Sequence, residues 1–136
     1  MNTNMNGGKA SSIAFVFFSL LAVCLSFIFG SAFFHSKSGE GSVYSAEAKQ
    51  LLKDGTVKHV IDVRTDVEWN LGHYPGAIHI PLQNLSADNE KLKSINKNDG
   101  ILVYCQTGNR ARTGAEKLKS FGYKNVYYLV GPYNLL

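Results

Sequence analysis

Cysteine is scarce in this chain: among 136 residues there are two, Cys24 and Cys105. Cys24 lies inside an apolar N-terminal stretch, and pairing it with Cys105 would require that stretch to fold back on the remainder. A disulfide framework is therefore excluded. The four histidines stand at no spacing from a cysteine that would hold zinc, so no zinc site is expected. Strong charge of one sign is missing too. The formal net charge is +4, one contributor being Lys9 ahead of the apolar stretch, and the rest is too diffuse to argue for nucleic acid. No internal repeat or low-complexity tract occurs, which excludes a solenoid. What is present is globular in balance, with 45% hydrophobic and 18% charged residues, enough for one domain and an appendage.

The appendage is residues 1–34. No charge occurs from Ala10 to Phe34, and Ile13 to Phe34 is an apolar run of 22 residues, whereas about 20 suffice to cross a bilayer. A secretory signal core is shorter, about 7–15 residues. Yet Gly30-Ser31-Ala32 is a small-x-small cleavage pattern. An apolar helix that anchors the protein through residues 13–34 and a cleaved signal peptide both remain open. Either would place the domain outside the cytoplasm, in the periplasm of a bacterium, as an anchored or an exported soluble protein. Lys9 and Lys37 flank the run and do not decide orientation. Residues 35–42 read as a short flexible linker, and the folded domain as 43–136.

From Val43 onward helical and strand patterns alternate. Ser45 caps a helix that Asp54-Gly55 ends. Val57 to Val63 reads as a buried strand, and a short helix follows from Thr65 or Asp66 through Trp69 and Leu71. After the turn cluster Gly72-His73-Tyr74-Pro75-Gly76 comes a short strand, Ala77 to Ile80, stopped by Pro81. Leu82 to Ile95 is helix-like with a polar interruption at Ser86–Asn89. Ile101–Tyr104, Asn109–Phe121 and Asn125–Val130 complete the series as strand, helix and strand. This alternation predicts an α/β fold, a parallel sheet covered by helices on both faces.

Cys105 ends an apolar strand and precedes a Gly-containing loop and a helix. It therefore stands at a helix N-terminus, where unpaired N–H groups and the helix dipole favour an anion. A thiol so placed loses its proton more readily, and the thiolate is the nucleophile. Arg110 and Arg112 add positive charge. Against this stands the plain reading of an inert buried cysteine that packs as a small hydrophobe.

Ile61-Asp62-Val63-Arg64, Glu68-Trp69, the run from Gly72 to Pro81, and Tyr104-Cys105-Gln106-Thr107-Gly108-Asn109-Arg110-Ala111 together resemble the rhodanese family over roughly Val43 to Gly131. The resemblance implies a rhodanese-like parallel sheet and sulfurtransferase chemistry. A sulfane sulfur would pass from thiosulfate or a similar anionic donor to Cys105, giving a persulfide. From there it would pass to cyanide, a thiol or a protein acceptor. Cys105 would be the nucleophile. Gln106, Thr107, Gly108, Asn109 and Arg110 would bind the donor, Arg110 by charge. Asp62 and Arg64 would form a buried structural pair, and His73 a structural part of its turn. A phosphatase or arsenate reductase on the same fold carries a longer loop between cysteine and arginine than Gln106-Thr107-Gly108-Asn109. A sulfane-sulfur carrier that does not turn over needs the same persulfide. Pro132 stands where the family often has a second glycine, so no full final helix is expected and one flank of the sheet or site would be less covered.

Overall fold

The computed structural model describes residues 41–136, so the apolar run at 13–34 lies outside the described residues. Within them no helix is long and apolar enough to cross a membrane. The strands are β1 (Ser42–Val43), β2 (Val57–Asp62), β3 (Ile78–His79), β4 (Gly100–Tyr104) and β5 (Asn125–Leu129). The helices are α1 (Ser45–Lys53), α2 (Asp66–Asn70), α3 (Glu90–Lys93) and α4 (Asn109–Ser120). The strands form one sheet in the order β1-β5-β4-β2-β3, with every pairing parallel.

A strand turns alternate side chains to opposite faces, and both faces here are apolar. Ile61, Val63, Ile101 and Val103 join one core with Ala111, Ala115 and Leu118 of α4 and Leu92 of α3. Val60, Leu102 and Tyr104 join the other with Ala48 of α1. Every residue of the central strand β4 is buried. In α4 the buried positions are small near the start of the helix, Ala111, Gly114 and Ala115, which lets its N-terminus sit close over the end of β4.

Several expectations change in detail. Ser42 pairs with Tyr128, so the sheet begins inside the expected linker. Ser45 is the first helical residue of α1, after Tyr44 at the cap position, and makes no side-chain cap there. The helix expected from Leu82 to Ile95 is instead a 3-10 turn at Leu82–Asn84 and the short α3. The polar Ser86–Asn89 stretch divides it: side chains of this kind compete for the backbone, and Asn89 accepts from Lys91 N–H at 3.0 Å to begin a new helix. The chain end differs as well. After Pro132 the 3-10 turn Tyr133–Leu135 forms, and Tyr133 and Leu136 pack against the second core. That flank is covered by a turn in place of a helix.

Candidate active site

The central strand delivers Cys105 to the carboxyl edge of the sheet, where open α/β sheets bind ligands. Its side chain is 1% exposed. The Sγ atom accepts from Gly108 N–H at 3.1 Å and from Ala111 N–H at 3.4 Å. Gly108 makes this geometry available. It caps α4 at φ 108°, a backbone conformation that disfavours any residue with a Cβ. A Cβ there would also stand 3.1 Å from Leu129 O. The first bond within α4 runs from Arg112 N–H to Gly108 O at 2.8 Å, so the N–H groups of Asn109 and Arg110 precede any intrahelical acceptor. Gln106, Thr107 and Asn109 are exposed and form the solvent side of the loop. Of the five sequence-predicted binding residues, Gly108 reaches the sulfur through its N–H, and the second N–H comes from Ala111, which was not among them.

Arg110 is not a free cation. Its Nη1 and Nη2 donate to Glu68 Oε2 and Oε1, both at 2.7 Å. Glu68 belongs to α2, where it also closes a capping box. Thr65 N–H donates to its Oε2 at 3.0 Å, and Glu68 N–H donates to Thr65 Oγ1 at 3.3 Å. The hydrogen bonds from Arg110 hold the Glu68 carboxyl at about 2. In return Glu68 raises Arg110 above its ordinary value, with Cys105 a lesser contributor. Glu68 was legible as part of a motif, but its pairing with Arg110 was not.

The buried pair lies at the end of β2. Asp62 is 0% and Arg64 3% exposed. Arg64 Nε donates to both carboxylate oxygens at 3.0 and 2.9 Å, and Nη2 donates to Oδ2 and to Gly72 O, each at 2.7 Å. Burial works against the Arg64 charge, but the hydrogen bonds and charge of Asp62 outweigh it, and the guanidinium is held protonated above its ordinary value. It lies against the rings of Tyr133 and Tyr104, 4.3 and 5.4 Å from their centroids. Tyr104, directly before Cys105, accepts from Tyr74 N–H at 3.1 Å. Burial, then Asp62, pushes its hydroxyl above the ordinary value. Such a satisfied network fixes the end of β4.

A model of the rhodanese-like domain matches residues 45–135. This chain belongs to the rhodanese-like family. It is 32% identical over 99 residues, 71% of its length, to YrkF of Bacillus subtilis, a candidate sulfur carrier protein. It is 35% identical over 85 residues, 56% of its length, to UBA4 of Saccharomyces cerevisiae, an adenylyltransferase and sulfurtransferase. The matched regions span 52% and 19% of those two proteins. Among solved structures, human TSTD1, a single-domain sulfurtransferase, superposes with a TM-score of 0.61 at 29% identity, covering 71% of this chain and 95% of that one. A rhodanese-related protein of Thermoplasma volcanium gives 0.56 at 28% identity, covering 68% and 86%. The domain is thus of the rhodanese-like sulfurtransferase or sulfur carrier family.

In this rhodanese-like domain His73 lies beside the network, between Gly72 and Tyr74, which bond Arg64 and Tyr104. Its Nδ1–H donates to Trp69 O at 3.2 Å, and its ring stacks on Trp69 with centroids 3.5 Å apart. His79 covers the other side of Trp69 at 4.6 Å, and its Nε2–H donates to Arg64 O at 3.0 Å. The two histidines clamp the end of α2, the helix that presents Glu68. A groove of about 350 Å³ lies between His73, Tyr74, Pro75, Tyr133, Asn134 and Leu136. It holds no residue of the cysteine loop and no thiol, so the sulfur chemistry is assigned to the loop. Among the described residues no cluster of His, Cys, Asp or Glu could hold a metal ion.

Proposed function

We propose that this protein is a sulfurtransferase, moving sulfane sulfur from thiosulfate or a similar donor, as a persulfide on Cys105, to a thiophilic acceptor such as cyanide, a thiol or a protein. The observation that carries this reading is the pair of backbone N–H donors on Cys105 Sγ at the start of α4. The Cys105 thiolate attacks the outer sulfur of thiosulfate, the S–S bond breaks, and sulfite leaves with the electron pair. The persulfide's terminal sulfur then takes the place of the donated anion in the cradle, where N–H donors and the helix dipole favour negative charge. Cyanide removes that sulfur as thiocyanate and restores the thiolate. The backbone N–H groups of Gln106, Thr107, Gly108, Asn109 and Arg110 bind the donor. No step needs a cofactor.

A carrier that is charged once and hands its sulfur to a protein is the second reading, favoured by the name of the Bacillus subtilis relative. Steady thiocyanate production from thiosulfate and cyanide, lost in Cys105→Ser, supports the enzyme. A single stoichiometric release supports the carrier. Robust aryl phosphate hydrolysis lost in the same variant would replace both with a phosphatase, a use the short loop between Cys105 and Arg110 disfavours. The apolar run supports, as a further part of this proposal, a membrane anchor with the domain outside the cytoplasm.

A further inference from the structure

Both arginines at the start of α4 already face carboxylates. Arg112 is 60% exposed and stands 4.0 Å from Glu116. Arg110 gives both Nη groups to Glu68, and the two side chains are 36% and 28% exposed. The charge nearest Cys105 is therefore matched before any donor arrives. Glu68 has a second hold on its position through Thr65, whose hydroxyl donates to Oε2 at 2.9 Å. A donor competing for Arg110 must displace a bidentate carboxylate that the cap of α2 keeps in place.

We infer that Glu68 is the specificity-determining residue of the sulfur site. By withholding the Arg110 charge it directs the cradle toward donors with at most one negative charge, such as the persulfide of a small neutral thiol, over dianionic thiosulfate. The inference rests on the persulfide reading above and names its preferred donor class. Electrostatics decides it: a second negative charge placed beside a neutral ion pair gains little, whereas beside a bare guanidinium it gains a full attraction. The backbone N–H groups serve either donor alike. For a persulfide R–S–S⁻ the step is the same exchange. Cys105 thiolate bonds to the terminal sulfur, the donor's S–S bond breaks, and R–S⁻ leaves with the electron pair, so no external oxidant or reductant enters.

Glu68→Gln tests this without removing the cap, because glutamine also closes a capping box. Its amide oxygen can still serve the cap, but the second oxygen that completes the grip on Arg110 becomes an NH2 donor, and the charge is gone. The variant and the wild type are compared with thiosulfate and with hydroxyethyl persulfide, cyanide being the acceptor for both. The expected result is a KM for thiosulfate lower by about tenfold, as one uncompensated charge at a partly exposed site allows. The KM for hydroxyethyl persulfide should change far less. The thiosulfate KM of the variant should also rise steeply with ionic strength while the wild-type value stays nearly flat. A merely structural role for Glu68 would move both donors together and leave the salt dependence alone. An unchanged or raised thiosulfate KM, in a variant that still turns over the persulfide, overturns the inference and leaves the sulfur site standing. Failure of wild-type Cys105 to take sulfur from either donor overturns the sulfur site itself, and the inference with it.

Discussion

Gly100 and Cys105 bracket the central strand, and a side chain is confined at each end. At Gly100 the limit is steric. A Cβ would lie 1.9 Å from Thr56 O and 2.8 Å from Thr56 C, both backbone atoms of the approach to β2, where the register shifts between Val57 and His59. No rotamer relieves a clash with backbone, so the strands would have to part. Gly100→Ala is expected to cost about 3 kcal/mol, in the range of severe overpacking. Urea unfolding checks this through a lowered midpoint at an unchanged slope. A loss below about 1 kcal/mol, typical of an ordinary substitution, would show that β2 and β4 adjust freely there. At Cys105 the limit is chemical. Two N–H groups already point at the sulfur, so Cys105→Ser should fold normally and fail only in sulfur transfer.

At the scale of the element, α2 shows how a five-residue helix comes to matter. Alone it would be marginal, since short helices rarely stand without tertiary support. Its support is a capping box at one end, the Trp69 stack at the other and Arg110 across the site. The ion pair makes its stability dependent on pH. The Glu68 carboxyl lies at about 2 in the folded protein against 4.5 ordinarily. A depressed acid stabilises the fold above its unfolded value and loses that contribution as pH falls. Wild-type stability should therefore decline between about 4.5 and about 2 by an increment that Glu68→Gln lacks. Parallel denaturant titrations over that window measure the difference, and superimposable pH profiles would remove the pair from the stability of α2. The start of this helix was readable from Thr65 and Asp66, because caps are local. The partner of Glu68 was not, because Arg110 stands 42 positions away and one sequence carries no sign of such a contact. The stretch from Leu82 to Ile95 failed for the opposite reason: its apolar spacing was sound, but local hydrogen bonding by Asn89 outweighed it.

For the molecule as a whole, the alternation of buried strands with helices was enough to anticipate a parallel sheet covered on both faces, and the cysteine motif to place a site at its carboxyl edge. The lateral order β1-β5-β4-β2-β3 was not anticipated, since β1 is two residues long and pairs with the last strand. That order sets β4 in the centre, with the ends of β2 and β5 on either side of Cys105. The remaining question at this scale is what residues 13–34 do for such a domain. Their uncharged length matches the bilayer core and exceeds a signal's apolar centre. The native protein is accordingly expected in the membrane fraction with its original N-terminus, and N-terminal sequencing of the purified protein is the measurement. A soluble chain beginning near Phe33 would instead mean cleavage after Gly30-Ser31-Ala32 and would remove the anchor. With the domain outside the cytoplasm Cys105 meets an oxidising compartment, where a free thiol is prone to capping. Added protease should then degrade the domain on intact cells stripped of any outer envelope. Protection until lysis would place the sulfur site in the cytoplasm.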